Sequence, residues 1–229
     1  MKISELFYSI QGEGKLSGVP SVFVRASGCN LRCSWCDTPY ASWLPQGDEM
    51  SVERIVDRVA LHPGGHVVLT GGEPMIAPDI VPLTAALKAR GYHVTIETAA
   101  TVFQDVTLDL ASISPKLANS TPWEREGGRF APAHEKHRLN LPVIQRFIGK
   151  SPDFQLKFVV TGESDLSEID GVLGGLTGWR PSDVLLMPEG IDEATLQGRS
   201  QWISEVCKQR GFRFCPRLHV MLYGNRRGT

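Results

Sequence analysis

The sequence predicts an α/β fold, an open, partial TIM-like barrel of about six or seven parallel strands, within a single domain spanning residues 1–229. Two observations carry this. Short β-rich runs alternate with helical patterns, which implies parallel strands joined by crossover helices. Polar or glycine-rich signatures recur at the expected C-terminal strand ends, the rim on which barrels of this kind gather functional groups. The strands are too few for a complete eight-stranded barrel.

Taken in order, strand Ser21–Ala26 runs into Gly28 and Cys29, and a helix is expected over Ser51–Leu61. Strand His66–Thr70 runs into Gly71-Gly-Glu-Pro74. The helix over Pro78–Arg90 has Pro78 at its first position, Ile80, Leu83 and Leu87 on one face, and Gly91 at its stop. Strand His93–Glu97 ends in Glu97-Thr98, and strand Val106–Ile113 ends in Ser114-Pro-Lys116. Segment Asn119–Asn140 breaks the rhythm with Trp123-Glu-Arg-Glu-Gly-Gly-Arg-Phe130, and reads as an insertion or lid. Strand Gln155–Val160, helix Asp165–Leu176 and strand Asp183–Met187 follow, the last ending in Pro188-Glu-Gly190. Helix Asp192–Arg210 puts Ile203, Val206 and Cys207 on one side, with Gly211 beyond its end. Strand Phe212–Leu218 closes the series and carries a parity that sets His219 with Arg213, Cys215 and Arg217.

Hydrophobic content of 41% and charged content of 21% are ordinary for a globular chain. A net charge of -1 gives no reason to expect nucleic acid or a membrane surface as partner. No apolar run approaches the roughly 20 residues of a membrane span. The opening Met-Lys-Ile-Ser-Glu lacks the apolar stretch of a signal peptide, so a cytoplasmic protein is expected.

The five cysteines are unevenly placed: Cys29, Cys33 and Cys36 form Cys-x3-Cys-x2-Cys, while Cys207 and Cys215 lie far away. That clustering does not suit a disulfide framework and reads as metal binding. Three thiolates on one loop can hold three irons of a cubane cluster and leave the fourth open. A structural zinc site wants four ligands; here Asp37 or a distant histidine would have to complete it, and that alternative stays open. His134 and His137 stand just short of a His-x3–5-His pair. Gly71 and Gly72 let a backbone approach a ligand closely, Glu73 can accept hydrogen bonds from an amine, and Pro74 stiffens the turn. A plain strand-to-helix turn is the competing reading. Cys207 reads as helix core and Cys215 as a packing thiol.

Further motifs narrow the choice. Cys-x3-Cys-x2-Cys with Thr70-Gly-Gly-Glu-Pro74 downstream resembles the radical S-adenosylmethionine (SAM) superfamily. Glu5-Leu-Phe-Tyr-Ser-Ile-Gln-Gly-Glu-Gly14, Val22-Phe-Val-Arg25, Cys36-Asp-Thr38, Glu97-Thr98, Ser114-Pro-Lys116, Leu156-Lys-Phe-Val159 and Leu218-His219 together resemble the 7-carboxy-7-deazaguanine synthase family. The resemblance implies ring contraction of 6-carboxy-5,6,7,8-tetrahydropterin with loss of ammonia, on the route to queuosine and other deazapurines. It implies a 4Fe-4S cluster on Cys29, Cys33 and Cys36, SAM, and Mg²⁺ on Thr38, whose hard oxygen suits that ion. SAM would be held by Trp35, Cys36, Asp37, Gly71, Gly72, Glu73, Pro74, Glu97, Ser114, Pro115, Lys116, Pro188 and Glu189. The pterin would meet Ile10, Gln11, Gly12, Glu13, Arg25, Thr70 and His219, with Glu13 and Arg25 at the chemistry. Arg25 offers forked donors to a carboxylate.

The same likeness implies flavodoxin or ferredoxin as electron donor and a homodimer. The rivals are a glycyl-radical enzyme activase, which Gln11, Glu13 and Arg25 argue against, and a zinc-binding module without catalysis. Ala99-Ala100 stand where the family favours Asn-Gly or Ser-Gly, and Arg217 stands where Gln is common. The chain runs ten residues past His219, so the family's C-terminal contact is not assigned to Thr229.

Overall fold

Seven strands pair in parallel, and two more join them along one antiparallel edge. The computed structural model describes residues 1–229. Its strands are β1 (Lys2–Ile10), β2 (Pro20–Ala26), β3 (Asp48–Glu49), β4 (His66–Gly71), β5 (His93–Thr98), β6 (Leu110–Ile113), β7 (Asp153–Val160), β8 (Val184–Pro188) and β9 (Arg213–Phe214). They form one open sheet in the order β3-β1-β2-β4-β5-β6-β7-β8-β9. Pairing is parallel from β2 to β9, while β1 lies antiparallel to β2 and β3.

The helices are α1 (Pro39–Ser42), α2 (Val52–Val59), α3 (Ile80–Ala89), α4 (Ala131–His137), α5 (Leu141–Lys150), α6 (Asp165–Gly174), α7 (Glu193–Arg210) and α8 (Leu218–Tyr223). Side-chain caps start three of them: Ser51 accepts from the Arg54 amide, Asn140 from Val143 and Asp192 from Thr195. Gly211 ends α7 with φ of 70°, a left-handed stop that favours glycine.

Alternate residues of each parallel strand face opposite ways. Val67, Leu69, Val94, Ile96, Ala111, Ile113, Leu156 and Phe158 bury toward the helices, in one core with Ile55, Leu83, Phe147 and Ile203. The opposite parity carries Thr70, Thr95, Ser112, Gln155 and Lys157, all buried. The concave face is therefore polar, and that polarity prepares the site.

Several expectations need correction. The N-terminal strand β1 was not expected, and the strand at Val106–Ile113 begins only at Leu110. Pro78 precedes the Asp79 cap of α3 instead of occupying its first turn. The strand expected over Phe212–Leu218 lasts two residues, and His219 lies on α8, so strand parity does not place it. Segment Asn119–Asn140 holds two short 3-10 turns and α4, and Asn140 caps α5, the crossover helix to β7.

Candidate active site

Gly28, with φ of 107°, turns the chain from β2 into the cysteine loop. The Gly28 amide donates to the Ala41 carbonyl at 2.8 Å, and its own carbonyl accepts from the Glu73 amide at 2.9 Å. A Cβ on Gly72 would lie 2.0 Å from the Gly28 carbonyl oxygen, and one on Gly71 would lie 2.2 Å from that of Ala26. The glycine pair thus admits the cysteine loop itself; its freedom is spent on protein backbone.

The loop is braced from several sides. Trp43 Nε1 donates to the Cys33 carbonyl at 3.0 Å, and the Arg32 amide donates to His134 Nδ1 at 3.1 Å. Trp35 Nε1 reaches the Asn119 carbonyl at 3.1 Å, and Arg125 reaches that of Ser34 at 3.1 Å. The Asn119–Asn140 segment therefore packs against the cysteine loop. All five cysteines are free. Burial pushes the Cys29 and Cys33 thiols up to about 12. Cys207 packs in the main core, and Cys215 packs with Val159, Leu185 and Met187. No group of three or more Cys, His, Asp or Glu side chains, the loop cysteines included, stands at metal-ligand spacing. Asp37 is committed to Arg217 and His134 to Arg32 and Ser120. This donor set suits a group that takes three sulfurs and has an open position, and it lacks the fourth ligand of a structural zinc.

A cavity of about 450 Å³ opens at the C-terminal strand ends, lined in part by Cys29, Cys33 and Cys36. It brings together Ile10, Gln11, Gly12, Glu13, Arg25, Trp35, Asp37, Thr38, Thr70, Gly71, Gly72, Glu97, Ser114, Lys116 and His219. Thr229 also lines it. Glu73, Pro74, Pro115, Pro188 and Glu189 do not line it. Glu73 Oε1 accepts from the Met75 amide and Thr98 hydroxyl, and Oε2 from the Ala99 amide, which occupies both oxygens. Burial pushes the Glu73 carboxyl up. Glu189 pairs with Arg199.

Glu97 lines the same cavity as the cysteines, and its two oxygens accept from Gln11 Nε2 at 3.1 Å and Thr70 Oγ1 at 2.8 Å. Arg25 donates through Nε to Glu5 at 2.9 Å, with neither terminal nitrogen hydrogen-bonded. Tyr40 and Arg227 also donate to Glu5. Phe7 and Phe23 stack with centroids 5.0 Å apart, adding a flat apolar patch to the cavity.

Two basic residues complete the lining: Lys157 and Arg217 each donate to one oxygen of Glu13. Burial pushes the Glu13 carboxyl up, but Lys157, Arg217 and His219 outweigh it and hold Glu13 well below the ordinary carboxylate range. Lys157 was missed as a site residue, although a lysine on the polar parity of an apolar strand was a usable signal.

Comparisons with known proteins agree with this geometry. Residues 23–116 match the family model described as the Radical SAM superfamily. A 7-carboxy-7-deazaguanine synthase from Rhodopirellula baltica is 46% identical over 99% of this chain and 88% of its own length. One from Halobacterium salinarum is 45% identical over 98% of this chain and 91% of its own. The crystal structure of QueE from Escherichia coli matches with a TM-score of 0.70 at 27% identity, covering 93% of this chain and 92% of that one.

Proposed function

The chain belongs to the 7-carboxy-7-deazaguanine synthase family of the radical SAM superfamily, and from that premise we propose how its residues divide the work. The reaction is the contraction of 6-carboxy-5,6,7,8-tetrahydropterin to 7-carboxy-7-deazaguanine with release of ammonia. Its cofactors are a 4Fe-4S cluster, SAM and Mg²⁺. A cluster and SAM held at the cysteine loop would supply radical chemistry for the pterin. The protein's own part is to bind, orient and exclude water.

Cys29, Cys33 and Cys36 would hold the cluster as thiolates, so loading must displace protons, and burial opposes this at Cys29 and Cys33. Gly71, Gly72, Trp35, Ser114 and Lys116 form the SAM side, where Lys116 donates to the Ser114 hydroxyl at 2.8 Å. Glu73 serves that side from behind by fixing the turn after Thr98. Thr38, two residues beyond Cys36, offers Mg²⁺ its hydroxyl. On the pterin side, the free end of Arg25 takes the substrate carboxylate, while Gln11 and Glu13 take the donors and acceptors of the ring. Thr70 and Glu97 fix Gln11 beneath them. His219 packs on Gly12, where an added Cβ would meet the ring nitrogen Nδ1 at 2.0 Å.

The single carrying observation is the shared cavity: Cys29, Cys33 and Cys36 line it together with Gln11, Glu13 and Arg25. Anaerobic reconstitution with iron and sulfide, then dithionite, SAM, Mg²⁺ and carboxytetrahydropterin, should yield carboxydeazaguanine. SAM cleavage without pterin turnover would sink this reading and favour the activase, and a colourless protein holding one zinc would sink both. Flavodoxin or ferredoxin as the electron source and a homodimer as the working assembly are proposals supported by family membership. No helix is long and apolar enough to cross a membrane. The free cysteines support a reducing compartment, the cytoplasm.

A further inference from the structure

The Arg217 side chain is 7% exposed, and its guanidinium is shared among three segments of the chain. Nε donates to Glu13 Oε1 at 3.0 Å, in the loop that follows β1. Nη1 donates to the Gly190 carbonyl, in the turn that follows β8. Nη2 donates to Asp37, the residue after the last loop cysteine. The second oxygen of Glu13 is taken by Lys157 on β7. Two carboxylates and two cations thus close a charge-neutral set, with Asp37 at its 35% exposed rim, and Arg217 is the member that touches both carboxylates.

Geometry makes a guanidinium specific here. Its planar fork carries five N–H donors in fixed directions, so it can serve three acceptors at once. A lysine at this position would keep the charge as a point and lose the fork. A glutamine would bring one neutral amide and leave one of the two carboxylates uncompensated. With one cation on each oxygen, Glu13 is restrained in direction and keeps lone pairs for a ligand in the cavity that it lines.

We propose that Arg217 is a positioning residue for the pterin: it fixes the Glu13 carboxylate toward the cavity, anchored by Asp37 and the Gly190 carbonyl. This rests on the pterin reading of the cavity. Arg217 does not touch the reacting atoms; it acts through Glu13.

The test is equilibrium binding of 6-carboxypterin, an oxidised analogue, to cluster-reconstituted protein with SAM and no reductant. R217Q should weaken pterin binding at least tenfold, with R217K in between. Iron content and SAM affinity should stay within twofold of wild type. In an E13Q background, R217Q should change pterin binding less than twofold, because residues acting as a unit are not additive. Should R217Q not fold, R217K carries the same comparison, with a loss of threefold or more seen only when Glu13 is present. Equal losses in both backgrounds, or iron and SAM affinity falling in step with pterin binding, would overturn the proposal and make Arg217 a general brace. Wild-type protein that binds no 6-carboxypterin and forms no product would instead overturn the pterin reading itself. Wild-type binding with R217Q unchanged would overturn only the role of Arg217.

Discussion

Glu13, with its side chain 13% exposed, and the buried Glu73 are carboxylates in loops beside the same cavity, and their surroundings give them opposite properties. Glu13 meets two cations, Lys157 and Arg217, and is held ionised. Glu73 meets two backbone amides and a hydroxyl, and burial pushes its carboxyl up. One lines the cavity with lone pairs to spare, while the other spends its oxygens on the turn that carries it. Burial of an acid beside a cavity therefore does not identify its task; the identity of its donors does.

The sharpest way to break this contrast is E13Q. It leaves Lys157, 7% exposed, without its carboxylate partner, while Arg217 keeps Asp37. Loss of one member of a buried charge set costs about 3–5 kcal/mol, so chemical denaturation should show a drop of that size. Pterin turnover should disappear while SAM cleavage without pterin persists. Unchanged stability would mean that the two cations are not buried against Glu13 as described.

G72A tests the Glu73 side. Its new Cβ would fall 2.0 Å from one carbonyl oxygen and 2.6 Å from another, and backbone cannot swing aside. The cost should reach the upper end of the roughly 1–3 kcal/mol seen for overpacking. Iron content after reconstitution should fall with it, and full cluster loading would show that the two strand ends do not depend on each other.

E73Q should be milder. An amide keeps one acceptor but faces its NH₂ toward a donor, leaving a buried group unsatisfied at about 1–3 kcal/mol. Pterin affinity should not change, since Glu73 does not line the cavity. A pterin-specific defect would return Glu73 to the ligand shell.

The smallest effect is a difference in pH slope. Glu13 has its folded value below the 4.5 of an ordinary glutamate, so its contribution is present above that value and is lost as the pH falls below it. Glu73 has its folded value raised above 4.5, so the folded state binds its proton more readily, and its contribution declines as the pH rises through the window above 4.5. Unfolding free energies of wild type, E13Q and E73Q between about pH 3 and pH 7 should show the two substitutions removing slopes of opposite sign, Glu13 below 4.5 and Glu73 above it. Slopes of one sign would erase the contrast.

The sequence made much of this legible, for reasons that particular residues explain. The parallel strands were visible because apolar runs such as Val67–Leu69 end in Gly71-Gly72, and Gly211 marked the end of α7. The antiparallel β1 was harder, because its residues carry a motif that drew attention to chemistry over conformation. Helix α5 had a readable start, with Asn140 as cap, Pro142 in its first turn and Ile144, Phe147 and Ile148 buried at helical spacing, but it follows an irregular segment that masked it. His219 shows where local pattern fails: after Phe214 the chain leaves the sheet, and Leu218 donates its amide to Gly12 across the molecule. The membership of the cavity was largely readable residue by residue. Who holds whom was not, because Glu13–Arg217 and Glu13–Lys157 join positions that only the fold brings together.

The contact of Gly72 with Gly28 bears on how such a centre could be moved between proteins. The cysteine loop and the glycine turn are shaped as mutual counterparts, one carbonyl filling the space that the other's missing side chain leaves. A loop transplanted alone onto another barrel would meet a side chain there and sit too high to hold its metal. The smallest portable unit is thus two adjacent strand ends, and their joint inheritance would be enforced by sterics even where the chemistry downstream diverged.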